Sequence, residues 1–511
     1  MKTTITSGYK TKLLGILLLA GVLVLFAVIL LPLPDSTTTQ QELVPDQPVR
    51  REGCTCQLDH NLPIVVIDTE GQDISTPPPY ATIQNGEMAL RVREKSEKFR
   101  VNLSIYEQDG YGYTCTCGVA QPTLTQSVLI SLRGQSSLRM PKNQYTLNFV
   151  DEDGVEQPQS VLGMPSHDQW VLNGSYVDKS LVRNALAFDM AEQTMDYAPG
   201  YEYCEVLLNS SGGEFSFDRD YYGVYLMVEK IERGANRVDI DRSDPRVNDI
   251  SFIIARDKVK VGDNILYTDW SALEDDFVII GDTVRQRTVI VCSYPGSATL
   301  TEEYAERITG FLNDFEYALE SAEFKDINDG YRGYIDVDSF IELAMINELF
   351  KNIDGGEIST YFYKDQGGKM NAGPLWDFDL TLGNTDTEEV NEPTGFRIIN
   401  TIWFERLFQD PYFAKRYQSI YRFLRAGEWQ TDELTQRVDG LVDELGPAID
   451  RNLERWYTPE AIQQANVRTD AISRTEYDAE IEEIKLFLTE RLDWMDDNLQ
   501  IVQRIERNTI D

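Results

Sequence analysis

Histidine is nearly absent: the 511 residues contain two, His60 and His167. Histidine-based nucleophile triads and multi-histidine zinc sites therefore have too little material. There is no G-x-S-x-G elbow, no G-x-x-x-x-G-K-S/T phosphate loop and no dinucleotide G-x-G-x-x-G, so these familiar catalytic and nucleotide-binding turns are excluded. Basic residues are also outnumbered, 47 against 85 acids, for a net charge of −38. Such a surface repels nucleic-acid phosphates and anionic headgroups, and no nucleic-acid partner is expected. What remains is carboxylate chemistry: general bases, or ligands for hard cations such as Mg²⁺.

Enough apolar material is present for a large core, with 42% hydrophobic and 11% aromatic residues. The length suggests a few structural units of about 100–200 residues each. The N-terminal stretch follows its own rule. Lys2, Lys10 and Lys12 precede an uncharged run from Leu13 to Pro34, and no acid occurs before Asp35. An apolar helix of about 20 residues with lysines on its N-terminal side predicts a transmembrane signal anchor over 13–34, with 1–12 a cytoplasmic tail. The competing reading is a cleaved signal peptide, whose apolar region is shorter and ends at small residues; here the run ends in LPLPDSTTTQQ. Residues 35–50 read as a linker, and the bulk of the chain is expected outside the cell. The six cysteines fit an oxidising compartment. The pairs Cys54/Cys56 and Cys115/Cys117 are expected to cross-link to each other, which leaves Cys204 with Cys292.

Short β-branched runs broken by Gly, Pro and Asp dominate from Leu62 onward: LPIVVIDTEG, FRVNLSIYEQDG, QSVLISLRG, YCEVLLN, YYGVYLMVEKI and DISFIIARD. A helix is predicted over Asp178–Gln193, with Leu181, Val182, Ala185 and Leu186 on one face. A second carries a capping box at Ser339 and Glu342. After Thr401 the chain reads as successive helices whose acids form a solvated face. Residues 51–125 are read as a β-rich N-terminal segment and 126–511 as the main domain with a helical C-terminal part. Residues 260–330 are the least legible stretch. The fold class is α+β, strand-rich before about residue 260 and helix-rich after it.

One stretch, GPLWDFDLTLGN (Gly373–Asn384), places two carboxylates inside an otherwise apolar run. Upstream, a helix ending near Phe350 runs into KNIDGGEIS with Asp354; TYFYKD and GKMNAGPLW then read as a hairpin joined by Gln366-Gly367-Gly368. Helix, loop carboxylate, hairpin, carboxylate is the layout of a phosphotransferase site, in which the first acid receives the substrate proton and the second holds metal on the nucleotide. In protein kinases the motifs are H-R-D-x-x-x-x-N and D-F-G; here Ser359 stands five residues after Asp354, and Asp379 takes the place of the glycine.

Five blocks, in order, carry a resemblance to the CotH family of spore-coat-type atypical protein kinases. They are RGQSSLRMPKNQYTLNFVDEDG, LGMPSHDQWVLNGSYVDKSLVRNALAFDMA, GVYLMVEKIERG, LFKNIDGGEISTYFYKD and GPLWDFDLTLGN. The resemblance implies a two-lobed protein-kinase-like fold and transfer of phosphate from ATP to serine or threonine hydroxyls of a surface or secreted protein, with Mg²⁺ or Mn²⁺. It implies Asp354 as catalytic base and Asp377 as principal metal ligand with Asp379 and Ser359 assisting. It further implies Lys142 and Arg133 at the nucleotide phosphates and Glu229 at the adenine pocket. Ser359 replaces an asparagine and Asn143 a second basic residue. Asp178, Asp189 and Glu192 are open as the acidic partner of Lys142. The rival expectation is a binding or structural module on a degenerate kinase-like scaffold.

Overall fold

Apolar runs, alternating in some strands and continuous in others, close a seven-stranded barrel from β1 (Ile64–Asp68), β2 (Phe99–Tyr106), β3 (Leu124–Leu132), β4 (Tyr145–Phe149), β5 (Gln169–Asn173), β6 (Tyr201–Asn209) and β7 (Tyr221–Glu229). Around the barrel the order is β1, β6, β7, β5, β4, β3, β2 and back to β1, with β1 parallel to β6 and every other pair antiparallel. The computed structural model describes residues 60–504 apart from 86–87, 111, 245, 259–260, 270–278, 281–282, 285–287, 386 and 459–475. Each strand sends every second side chain inward, as the two-residue period requires. Val101, Leu103 and Ile105 of β2 meet Val128, Ile130, Leu147, Trp170, Val206 and Met227 in one core.

A second sheet holds β8 (Phe252–Lys258), β9 (Ile265–Leu266), β10 (Thr288–Tyr294), β11 (Thr360–Lys364) and β12 (Met370–Ala372), all antiparallel in the order β9, β10, β8, β11, β12. The expected hairpin is therefore present as β11–β12. Strands continue past residue 260 because β8, the strand before that boundary, takes both its neighbours, β10 and β11, from later chain.

Among the described residues the helices of eight or more residues are α1 (Arg183–Thr194), α2 (Glu302–Glu320), α3 (Val337–Leu349), α4 (Pro411–Arg425), α5 (Thr431–Leu445), α6 (Ala448–Trp456) and α7 (Tyr477–Asn498). Helix α1 begins later than its pattern predicts. The Asp178 carboxylate accepts from the backbone N–H of Ser180 (3.1 Å) and Arg183 (3.0 Å), so residues before Arg183 form a turn. The cap of α3 is Asp336, which accepts from Ser339 N at 2.9 Å, rather than the box at Ser339 and Glu342. Helix α1 is buried almost all round. Ala185, Leu186 and Phe188 share a core with Val171, Val224 and Leu226 from the barrel's outer face and with α3. Helix α6 returns to the barrel, where Trp456 and Tyr457 join the inner core and Trp456 Nε1 donates to Tyr222 O at 2.7 Å.

The late acids are not all solvated, as their helical spacing had suggested. Glu480 is buried and accepts from Arg183 Nη2 at 2.7 Å, while Arg183 Nη1 meets Asp178 at 2.7 Å. Arg491 and Glu348 form a second buried pair, also at 2.7 Å, between α7 and α3.

The membrane location expected from residues 13–34 is corrected. Among the described residues no helix is long and apolar enough to cross a membrane, and 13–34 lies outside them. Cys54 and Cys56 also lie outside them. Cys204 and Cys292 are not paired: one is a buried thiol of β6, the other a buried thiol of β10 that donates to Tyr294 O at 3.2 Å. Burial pushes both thiols up, Cys292 to about 12.

Two outcomes follow. Arg183→Met strands two buried carboxylates and is expected to cost about 3–5 kcal/mol in equilibrium denaturation. Unreduced protein treated with an alkylating reagent is expected to be labelled at Cys204 and Cys292 only when unfolded, a result a disulfide between them cannot give.

Candidate functional site

The carboxylates come together because three backbone segments end at one cavity. Helix α3 delivers the Phe350–Ser359 loop, strand β12 leads into Gly373–Asn384, and strand β8 ends beside both. The cavity measures about 540 Å³ and is lined by Asp354, Ser359, Asp377 and Asp379, with Arg133, Lys142, Asp257, Lys258, Tyr361 and Trp376.

The Asp354 loop is held from beneath. Asp354 N donates to Asn352 Oδ1 at 3.0 Å, and Asn352 Nδ2 donates to Asn347 Oδ1 of α3, also at 3.0 Å. Gly356 sits at φ 80°, and a Cβ there would stand 2.3 Å from Thr401 Oγ1, so no other residue fits. Glu348 accepts from the backbone N–H of Arg397 and Ile398 at 2.7 and 2.9 Å, and Arg397 donates to Ile353 O at 2.9 Å.

The second loop is anchored by its aromatic residues. Phe378 is fully buried with its ring edge-on to Phe350 at 5.2 Å, and Trp376 packs against Phe188 at 6.1 Å. Burying those rings turns the flanking carboxylates toward the cavity. Asp377 and Ser359 both adopt left-handed backbone, φ 68° and 50°, a conformation costing of order 1–3 kcal/mol for non-glycine residues. Ser359 Oγ donates to Asp377 Oδ2 at 3.2 Å. The strain is thus concentrated where the two loops meet.

Charge is also concentrated there. Burial raises the Asp377 carboxyl, and Asp257 raises it further; Arg133, Lys258 and the Ser359 hydroxyl work the other way. Asp379 is pushed well above the usual carboxylate range by burial, then by Asp377, Asp178 and Asp354. The Arg133 guanidinium lies over the Trp376 ring at 4.8 Å, its pKa lowered by burial against the pull of Tyr361, Asp377 and Asp257. Among the described residues no group of three or more His, Cys, Asp or Glu is arranged to hold a metal ion. Asp377 and Asp379 are close enough to repel each other, but they do not form a cage with a third acid.

Other expected positions turn out differently. Lys142 is buried in the cavity wall with its ammonium over the Tyr225 ring, bonded to Val224 O and, at 3.1 Å, to Asn452 Oδ1. No carboxylate among the described residues lies within ion-pair distance of it. Asp178 influences it only at longer range, Asp189 accepts from Tyr201, and Glu192 is exposed. Glu229 is turned away from the cavity and held by Arg237 (2.5 Å), Tyr197 (3.1 Å) and Gly200 N (3.1 Å). Its neighbour Lys230 lines the cavity instead. Asp257, Lys258 and Tyr361 are site residues that sequence reasoning missed. The strand DISFIIARD was recognisable, but its register, Arg256 opposite Thr360, brings Asp257 level with Ser359 and was not.

Burial lowers the Lys142 pKa to about 7, against 10.5 when solvated. The folded state then binds fewer protons than the unfolded chain between these values, so stability rises with pH across that window and the charged form is destabilising below it. Lys142→Met is expected to raise the melting temperature at pH 7 and to flatten the pH profile between about 7 and 10. Thermal melts across that range check it.

Comparison with known proteins follows the same residues. The family model described as CotH kinase protein matches residues 130–495, a span that includes Arg133, Lys142, Asp257, Asp354, Asp377 and Asp379. The inner spore coat protein H of Bacillus subtilis (strain 168) is 22% identical over 326 residues, which is 63% of this chain and 77% of that protein. With the matched region enclosing the whole carboxylate cavity and both loops that build it, the chain belongs to the CotH kinase protein family.

Proposed function

We propose that the protein is an atypical protein kinase that transfers the γ-phosphoryl group of ATP to serine or threonine hydroxyls of a protein substrate. The observation that carries this reading is the meeting of Asp354, Asp377 and Asp379 with Arg133, Lys142 and Lys258 in one cavity of a chain that is elsewhere strongly acidic. Acids alone would repel a polyphosphate; the basic side chains offset that repulsion where the phosphates would lie. In this reading the barrel and the helical part act as the two lobes of a kinase-like fold. A neighbouring cavity of about 660 Å³ shares Arg133, Lys230, Tyr361 and Trp376 with the first and would take the nucleoside.

Asp354 would accept the proton of the attacking hydroxyl as the new P–O bond forms and the bond from the γ-phosphorus to the β–γ bridging oxygen breaks, with ADP as the leaving group. Arg133 and Lys258 would hold the phosphate oxygens in line for transfer, and Lys142 would add its field from the wall. Asp377 and Asp379 would hold Mg²⁺ or Mn²⁺, which when bound would supply neutralisation of the phosphate charge. The donor set suits this: two crowded, buried carboxylates need a cation or donors to be stable as anions. Mg²⁺ is commonly held by one or two carboxylates, with phosphate and water completing its shell, so a closed cage of acids is not required. Ser359 would orient the Asp377 carboxylate through the bond it already makes.

A second reading, a kinase-like binding module without turnover, is favoured by Ser359 in place of an amide and by Glu229 facing away. Binding and catalysis separate the two. Asp354→Ala is expected to lower transfer from labelled ATP by about 100-fold or more while leaving nucleotide binding. Asp377→Ala is expected to abolish both transfer and the metal-dependent rise in melting temperature that ATP gives the wild type. Wild-type transfer in both variants removes the kinase reading; ATP stabilisation without any transfer selects the binding module.

A further inference from the structure

The turn that carries Asp377 and Asp379 is gripped by two adjacent residues of α1. Arg183 Nε donates to Thr381 O at 2.8 Å, behind the pair of acids. Asn184 Oδ1 accepts from Phe378 N at 2.8 Å, the peptide N–H lying between them. The other end of the Asn184 carboxamide is also in use: Nδ2 donates to Ser175 Oγ at 3.1 Å. Ser175 in turn donates through Oγ and N to Asn173 Oδ1 at 3.0 and 3.1 Å, and Asn173 is the last residue of barrel strand β5. Asn173, Ser175 and Asn184 are all buried. A continuous hydrogen-bonded path therefore runs from the barrel wall to the peptide that joins the two acids.

We propose that Asn184 is a positioning residue for the metal–nucleotide end of the site, an assignment that rests on the kinase reading above. Asp377 sits in left-handed backbone, φ 68°, and without a fixed acceptor for the next N–H the turn can relax. Relaxation would rotate one carboxylate away from the other. A single carboxamide can prevent this because both its ends are anchored, one to the turn and one to the barrel. Neither Asp377 nor Asp379 makes a comparable bond to the barrel through its own backbone. Asn184 touches no ligand in this arrangement; it acts through Phe378 N.

The test uses the full chain and measures Mn²⁺ binding by calorimetry in the presence of a non-hydrolysable ATP analogue. Asn184→Leu keeps the side-chain volume but removes the acceptor, and is expected to weaken Mn²⁺ binding about 10-fold or more, as loss of a ligand-orienting group does. Asn184→Asp restores an acceptor for Phe378 N, and its second carboxylate oxygen can accept from the Ser175 hydroxyl where Nδ2 had donated, so it is expected to recover most of that affinity. A residue that served only to fill space would give the opposite order, because the aspartate adds a buried charge. Equal Mn²⁺ affinity in wild type and folded Asn184→Leu overturns the assignment, as does an Asn184→Asp variant that binds no better than the leucine variant. If Asn184→Leu does not melt cooperatively, Ser175→Ala decides: it cuts the path one link earlier, a smaller loss in the same direction supports the assignment, and unchanged affinity overturns it. A wild-type chain that binds no Mn²⁺ with the analogue removes the kinase reading itself and this inference with it.

Discussion

A single buried guanidinium holds the architecture together. Arg183 contacts Asp178 in the turn before α1, Glu480 in α7, and the carbonyls of Thr381 and Leu382 beyond the paired acids. A cation without water is tolerated only when its donors are satisfied and its charge is balanced. Here the required partners come from three parts of the chain, so satisfying Arg183 means docking all three. Helix α1 becomes the common wall between barrel and helical part for that reason.

The candidate site is built on top of that wall. Its carboxylates are crowded, raised by burial and by one another, and two of the backbone positions that aim them are left-handed. Each of these features opposes folding. They persist because Phe378, Trp376 and Phe350 fill the core below, and because the Glu348–Arg491 pair locks α3 to α7 beneath the Asp354 loop. Strain and repulsion are thus located at one cavity and supported by rigid packing elsewhere, a combination that clusters at functional sites.

Much of this was legible in the residues. The runs LPIVVIDTEG, FRVNLSIYEQDG and QSVLISLRG are strands, as short β-branched runs broken by Gly, Pro and Asp imply. The apolar setting of the acids in GPLWDFDLTLGN was also legible, and Trp376 and Phe378 on either side of Asp377 are buried. Other features were not. Glu480 and Arg491 look like solvated positions of a charged helix, and only the partner each meets, hundreds or scores of residues away, accounts for their burial. Glu229 was placed one residue from where Lys230 lines the cavity, because a strand period shows which residues share a face and not which face meets the cleft.

Local chemistry, which depends on near neighbours, was thus determined by the sequence alone: mixed α and β composition, the strands of the first half, the hairpin after Asp354, and the acids of GPLWDFDLTLGN. Long-range pairing was decided only in the tertiary structure. Barrel closure joins β1 to β6 across about 140 residues of chain. Asp257 reaches Ser359 through strand register, Lys142 loses its expected carboxylate to the interior of the wall, and Asn184 finds Phe378. Each of these is a contact between segments whose meeting is set by burial and satisfied charge over the whole fold, and no local pattern encodes it.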